Sequence, residues 1–215
     1  VQKSIDKQFA KSQKEIDANK KKVEDGQSSI NTGSDQLTDA INQTMDKQQE
    51  LLKTEKDLKN QLADLKKQQK SLSQIQSGIQ TFMQSDAYTG IVSVLKDNPQ
   101  LAESEEMKAQ IKQLNKVVKE QFAALSSLGI TVNTYEDLPA ASAEVGKLLA
   151  QVNTGIKTIE SAQKKVESGK VSLSSALDTL NANASLTALK VSASSAELTS
   201  AASSLEDAQS KLDDA

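Results

Sequence analysis

Residues 51–79 have the sequence LLKTEKDLKNQLADLKKQQKSLSQIQSGI, in which Leu51, Leu58, Leu65, Leu72 and Ile79 stand seven residues apart. The same spacing continues towards the N-terminus through Phe9, Ile16, Val23, Ile30, Leu37 and the polar Thr44. An apolar repeat of seven held this long keeps one side of a helix against a partner, as in a left-handed coiled coil. Since no proline precedes Pro99, the pattern predicts one helix over residues 2–84, on the order of 120 Å long.

The residues three positions after the members from Phe9 to Thr44 are mostly small or polar. They are Ser12, Asn19, Gly26, Gly33, Ala40 and Lys47. An interior glycine costs a helix about 0.5–1 kcal/mol relative to alanine. Because close contact between helix axes would offset that cost, we predict that Gly26 and Gly33 lie in a close-packing seam.

A second heptad repeat occupies residues 139–215. Its main positions are Val145, Val152, Ile159, Val166, Leu173 and Leu180, accompanied by Leu148, Gly155, Ala162, Gly169 and Ala176. The phase then changes to Leu177, Ala184, Val191, Leu198, Leu205 and Leu212, paired with Ser194, Ala201 and Ala208. A shift of four residues is a stutter, which unwinds the supercoil locally without ending the helix. We expect the weakest helical stretch at residues 181–183, and we expect Gly155 and Gly169 to belong to the close-packing seam.

The segment between the repeats, residues 85–138, has a different character. Ser85 and Asp86 predict the start of a short helix. Asn98 followed by Pro99 predicts the start of the next helix, which we expect to end at Gly129. Residues 130–132 are expected to be extended, and residues 134–139 to start the last helix. Four of the five aromatic residues lie between Phe82 and Pro139, so we expect a small locally globular core here.

Two heptad helices joined by a compact insert predict an all-α fold, a long antiparallel coiled-coil hairpin with a small helical head at the tip. The expected domains are an ascending arm (1–84), the head (85–138) and a descending arm (139–215). With Val1 near Ala215, Gly26 and Gly33 would face residues 182–190, while Gly155 and Gly169 would face Leu62 and Lys47. Gly26→Leu should then push the arms apart.

Composition argues against an enzyme. The 215 residues include 26 lysines but no arginine, histidine, cysteine or tryptophan. Histidine- or cysteine-based nucleophiles, thiolate or imidazole zinc sites and disulfides are therefore excluded. We expect no catalytic residue, no cofactor and no metal site. The net charge of −3 and the aromatic content of 2% also argue against nucleic acid as a partner.

Three groups of residues have a functional and a structural interpretation. Glu103, Glu105 and Glu106 could bind calcium, but acids in the first turns of a helix also complement its dipole. Residues 20–22 and 66–67 are lysine runs that could contact lipid headgroups or nucleic acid, yet interleaved acids favour an exposed helix face. The third group could form a partner-binding patch at the tip or the core of the head: Tyr88, Phe122, Tyr135 and Leu138.

The repeat carries a resemblance to a known family. The segments around Val23 to Gly33, Val152 to Gly155 and Val166 to Gly169 resemble the xxGxxxLxxGxxxL coiled-coil repeats of extracytoplasmic loops in Gram-positive membrane proteins. Such repeats occur in FtsX-like (MacB-type) ABC transporter permeases, and also in YhgE/Pip phage-infection proteins and their EsaA relatives of type VII secretion. The glycine repeat here is sparser than is usual in YhgE/Pip proteins, which favours the permease. The resemblance implies a mechanical or docking role without catalytic residues.

Three functional hypotheses follow. The first is an extracytoplasmic stalk and head of an ABC permease, joined to membrane helices of the same full-length protein and offering its head to a protein or peptide. The second is a YhgE/Pip or EsaA-like cell-surface stalk. The third is a soluble coiled-coil scaffold or an efflux-adaptor hairpin, although the long insert argues against the adaptor. The chain starts within a helical pattern and lacks an initiator methionine, so we expect a fragment of a longer protein. A partly polar seam leaves homodimerisation open.

Overall fold

The computed structural model describes residues 2–213, except for the side chains of residues 2–6, 8, 9, 198, 202 and 205–213. Its four α-helices are α1 (Gln2–Met83), α2 (Asp86–Asp97), α3 (Glu105–Gln121) and α4 (Leu138–Asp213). Three 3-10 turns complete the head, at Pro99–Glu103, Ala123–Leu128 and Tyr135–Asp137. Within residues 2–213 there is no β-strand. The predicted all-α fold with two long helices and a helical head is confirmed.

The chain divides into two compact units, and both contain paired segments of α1 and α4. Unit 1 comprises Val1–Thr54 and Val166–Ala215. Within it, Gly169 lies against the Leu51 side chain, while Gly26 and Ser194 line one cleft. A later residue of α1 (Leu51) thus lies beside an earlier residue of α4 (Gly169), and an earlier one (Gly26) beside a later one (Ser194), so the two segments are antiparallel. The ends of α1 and α4 fall close to the predicted arm boundaries, whereas the division into units cuts through both long helices.

Unit 2 comprises Glu55–Lys165 and contains the head with the adjoining parts of α1 and α4. The least exposed side chains of its core are Ile79 from α1, Val118 from α3, and Leu138 and Val145 from α4. Ile79, Val118 and Val145 are fully inaccessible to solvent. Aliphatic burial from three helices therefore joins the head to the segments that enter and leave it.

The burial pattern of α1 confirms the leucine repeat and corrects the position of its companion. Members of the main repeat from Ile16 to Ile79 are half-buried or buried. The companion positions lie four residues after them, at Gln27, Ile41, Gln48, Leu62, Gln69 and Gln76. Among the companion positions predicted at a spacing of three, Ala40 alone is half-buried, and Gly26, Gly33 and Lys47 are exposed. The reason is that leucine, isoleucine and glutamine side chains bring apolar carbon to bury, whereas glycine has no side chain and the lysine ammonium is held in solvent by its charge.

In α4 the predicted repeat and its stutter are both present. Val152, Ile159, Val166 and Leu173 are at least half-buried, as are their companions Gly155, Ala162 and Gly169. Ala176 is exposed and Leu177 is half-buried instead, so the slip of phase falls there, about one turn before residues 181–183. The helix continues through it to Asp213. The predicted seam positions Leu198, Leu205, Ala208 and Leu212, like Phe9 in α1, lie outside the described side chains.

The head confirms one predicted helix end and corrects two others. The Ser85 side chain accepts a hydrogen bond from the Tyr88 backbone N–H at the start of α2. Gly129, with a φ of 75° in the left-handed region, ends the 3-10 turn Ala123–Leu128, whereas α3 already ends at Gln121. The helix predicted from Pro99 is interrupted, because Pro99–Glu103 forms a 3-10 turn and Ser104 caps α3 through the Met107 N–H. Asn98 makes no side-chain capping bond, whereas the Ser104 hydroxyl accepts one, which explains the later start.

In the part of the chain that the structure describes, no helix is long and apolar enough to cross a membrane.

Candidate functional site

The structure places the four residues predicted at the tip within the core of the head rather than on an exposed patch. Tyr88 is 8%, Phe122 7% and Leu138 0% exposed, and Tyr135 is half-buried. Phe82 packs edge-on against Phe122 with ring centroids 5.5 Å apart, and Tyr88 packs edge-on against Tyr135 at 6.1 Å. These T-shaped pairs are favoured by the ring quadrupoles. A partner could not reach Phe122 or Leu138 without opening the head.

The two tyrosines titrate above their ordinary range. Burial raises the pKa of Tyr88 and of Tyr135, and the nearby Glu136 carboxylate raises both further. The Tyr135 hydroxyl also donates a hydrogen bond to Glu136 Oε1 at 3.3 Å. Because the folded head prefers the neutral phenols, their contribution to stability is complete below the ordinary pKa of tyrosine and declines as the pH rises through the raised values.

Polar contacts that the sequence analysis did not anticipate hold the segment between α3 and α4 in place. The Asp137 carboxylate accepts the backbone N–H groups of Asn133 and Thr134, both at 2.8 Å. These bonds lower the pKa of Asp137. Asn115 Oδ1 on α3 accepts the backbone N–H of Tyr135 at 2.9 Å. Only the Thr134–Asp137 spacing, typical of a capping box, could have indicated part of this arrangement from sequence.

The glycines of the predicted close-packing seam separate into two pairs. A Cβ added at Gly155 would lie 3.3 Å from Leu65 Cδ1, and one added at Gly169 would lie 3.1 Å from Leu51 Cδ1. Gly26 and Gly33 have no atom within 4 Å of that position, so the predicted effect of Gly26→Leu loses its basis. Within the described residues, Gly155 and Gly169 are thus the two glycines with a close helix contact.

The register of the helix pair differs from the predicted one by about one turn. Gly155 and Gly169 lie against Leu65 and Leu51 rather than against Leu62 and Lys47. Gly26 lines a cleft of about 250 Å³ together with Ser194 and Glu197, beyond the predicted residues 182–190. The shifted register brings the large leucines of α1 onto the small residues of α4, a pairing of large and small side chains that packs densely.

Polar side chains also meet between the helices of unit 2. Gln69 Nε2 donates to Asn153 Oδ1 at 2.6 Å, and Gln76 Nε2 donates to the Ser142 hydroxyl at 2.9 Å. Each pair joins α1 to α4 and fixes the register, since a shifted register would leave half-buried amides without partners.

The head contains an apolar groove between α2 and α3, hereafter the α2–α3 groove. It has a volume of about 570 Å³. Its floor includes Phe82 and the buried Leu114, and its walls include Ile91 and Val117. The remaining lining residues are Asp86, Ala87, Gly90, Ala109, Gln110 and Gln113. The volume and the mainly apolar lining of the groove are within the range of ligand-binding clefts.

The candidate calcium residues form ordinary surface contacts. Lys108 Nζ lies 3.3 Å from Glu103 and 3.4 Å from Glu105. Across the described residues, no group of three or more potential ligands is arranged to hold a metal ion.

No protein-family model matches the chain, and no curated protein and no solved structure matches it either.

Proposed function

We propose that the chain is a non-enzymatic stalk and docking head on the extracytoplasmic side of an integral membrane protein, of the FtsX-like ABC permease kind. The observation that carries this proposal is the antiparallel pairing in unit 1, where Gly169 lies against Leu51 and Gly26 lies near Ser194. A segment whose first and last helices run side by side can be inserted in a loop between two membrane helices. The heptad and glycine resemblance supports the same proposal.

The proposed mechanism is mechanical. Membrane helices at the base would change the spacing or axial offset of α1 and α4, and the coiled-coil seam would transmit that change towards the head. Contacts such as Leu51 on Gly169 support this, because a close-packed helix pair resists local deformation and moves as a unit. The head would then present its α2–α3 groove to a protein or peptide outside the membrane.

Cysteine labelling of the full-length protein in its bacterial host tests the proposed location. The chain contains no cysteine, so Ser127→Cys, at an exposed position of the head, introduces one thiol into it. We expect a membrane-impermeant maleimide to label this thiol in intact cells as fully as in lysed cells. The parent protein, labelled in parallel, reports any thiol outside the chain, and labelling after lysis alone would refute the extracytoplasmic location.

Purification of the same protein distinguishes the family alternatives. Four membrane helices and a co-purifying ATPase subunit would support the permease. Six membrane helices without an ATPase would replace it with the YhgE/Pip or EsaA-like stalk. Recovery in the soluble fraction would refute both and leave the coiled-coil scaffold.

A further inference from the structure

The α2–α3 groove has an acidic border, and no lysine is among the residues that line it. On α2, Asp86, Gly90, Val94 and Asp97 follow one another at steps of three or four residues and so share one helix face. On α3 the same holds for Glu106, Gln110, Gln113, Val117 and Glu120. Because Asp86, Gly90, Gln110, Gln113 and Val117 line the groove, each of these two faces carries an acid at both of its ends.

The lysines of α3 lie on a different face. Lys108, Lys112, Lys116 and Lys119 also follow one another at steps of three or four, but their face is centred about 120° around the helix from the groove face. Lys116, three residues after Gln113, is the nearest of them to the groove. None of the four acids on the groove faces forms an ion pair within the described residues, and all four are exposed. Their negative charge therefore remains available to a cationic partner.

The lining of the groove favours a helical partner over an extended one. The groove offers few side-chain hydrogen-bonding groups, those of Asp86, Gln110 and Gln113. An extended peptide would leave much of its backbone without partners there, whereas a helix satisfies its own backbone. The lining residues of α3 from Ala109 to Val117 span about 12 Å, which matches apolar anchors at positions i, i+4 and i+7 of a bound helix.

We propose that the α2–α3 groove binds an amphipathic helix of a partner protein, with apolar anchors in the groove and Lys or Arg side chains against the acidic border. This proposal deepens the docking role of the head and rests on it for its biological setting. The aliphatic surface left open at Val94 and Val117, 37% and 38% exposed, would be covered by the anchors. The four acids would set the orientation and the charge preference of the partner.

Binding of a designed peptide to the whole 215-residue chain tests the proposal. The probe is a fluorescein-labelled 18-residue helix with leucines at i, i+3, i+4 and i+7 spacing and lysines on its remaining faces. Its counterpart carries glutamates in place of the lysines. We expect fluorescence anisotropy to show saturable binding of the lysine peptide, at least about tenfold tighter than that of the glutamate peptide and weakened by added salt.

Two kinds of variant locate the binding. Gly90→Leu fills the groove, since nothing lies within 4 Å of a Cβ added there, and it should weaken binding about tenfold. Gly33→Leu is the matched control on exposed α1 and should leave binding unchanged. The double variant Glu106→Lys with Glu120→Lys alters exposed side chains alone, so it keeps the head folded while it removes the preference for the lysine peptide.

Three results would overturn the proposal: equal binding of the two peptides, binding that Gly90→Leu and the double charge variant both leave unchanged, or binding abolished by aspartate at the exposed Leu186 and Leu189 of α4. None of these results would affect the labelling of Ser127→Cys in cells. Failure of the groove proposal is therefore distinguishable from failure of the proposed location.

Discussion

At the scale of the residue, two copies of one local sequence have different environments. Residues 21–26 (KKVEDG) and 164–169 (KKVESG) differ at a single position, and both end in a helical glycine. Gly169 touches Leu51, while Gly26 has no neighbour within 4 Å. The two glycines differ because the opposite helix places a leucine side chain against Gly169, whereas Gly26 faces a cleft lined by Ser194.

Substitution of Gly169 and of Gly33, which like Gly26 has open space around it, should therefore have opposite effects on the free energy of unfolding. Gly169→Leu should destabilise the protein by about 1–3 kcal/mol, because the added side chain displaces Leu51 from a filled seam. Gly33→Leu should be neutral or stabilising, because it gains helix propensity in open space. Urea unfolding followed by circular dichroism measures both. Equal effects of the two variants would mean that the seam is not close-packed at Gly169.

A second prediction at this scale concerns Asp137. Its pKa is lowered by the N–H groups of Asn133 and Thr134, so its contribution to stability is present above the ordinary aspartate pKa and is lost as the pH falls through the lower folded value. Asp137→Ala should cost about 1–2 kcal/mol at pH 7. At a pH below the folded pKa the variant and the parent should converge. Thermal unfolding across the acid range checks this, and a difference that persists unchanged in acid would contradict the assignment.

At the scale of the element, the two long helices contribute unequal sides to one seam. α1 supplies leucines, with glutamine, isoleucine and leucine as companions four residues later. α4 supplies β-branched residues with Gly155, Ala162 and Gly169 as companions. The stutter at Ala176 and Leu177 then changes which residues of α4 face α1. It keeps the apolar positions in contact where a strict heptad would have turned them outwards.

The position of the stutter predicts the relative importance of two leucines on α4. Leu177 is half-buried, whereas Leu186 is 56% exposed. Leu177→Ala should lower the free energy of unfolding by about 1–2 kcal/mol through lost apolar burial. The same substitution at Leu186 should change it by less than about 0.5 kcal/mol. Denaturant titration of the two variants compares them directly. A larger loss of stability for Leu186→Ala would mean that α4 packs on α1 through the face that contains Leu186 and would contradict the position of the stutter.

At the scale of the whole molecule, buried apolar side chains are distributed unevenly. Of the described side chains that are buried, Val166 belongs to unit 1, and the others, from Leu72 to Ile156, belong to unit 2. Local stability follows the density of buried apolar contacts. The denser core of unit 2 is suited to hold the α2–α3 groove in a fixed shape, and unit 1 has fewer buried side chains among those described.

Hydrogen exchange read by mass spectrometry should report this difference. Peptides from α1 after Leu72 and from α4 before Lys165 should exchange at least about tenfold more slowly than peptides within residues 16–40 and 173–197, because exchange in the core requires the larger opening. Phe122→Ala serves as a control, since it should accelerate exchange in unit 2 and leave unit 1 unchanged. Uniform exchange along both long helices would contradict the unequal core.

Much of the fold was accessible from local patterns. The heptads predicted α1 and α4, Ser85 predicted the start of α2, and the stutter was visible as a change of phase. Gly129 predicted where the helical path stops, although a 3-10 turn and not α3 leads up to it. The start of α3 predicted at Asn98 and Pro99 was wrong because Asn98 makes no capping bond with its side chain. The Ser104 hydroxyl, six residues later, provides that bond instead. The aromatic cluster was predicted at the correct place in the chain. The four residues predicted to contact a partner, however, pack in the core of the head.

The sequence by itself determined the helices, because periodicity and capping act over a few residues, and its lack of histidine and cysteine removed the chemistry that depends on them. The tertiary structure alone decided the register of α1 against α4, the two glycines that are close-packed, and the groove that stays open once the aromatics are buried. Those features depend on contacts such as Gln69 with Asn153, which are 84 residues apart in the chain. The register is the one in which leucines meet glycines and the amide N–H groups of Gln69 and Gln76 reach partners on α4. It depends on many distant contacts that no local pattern contains.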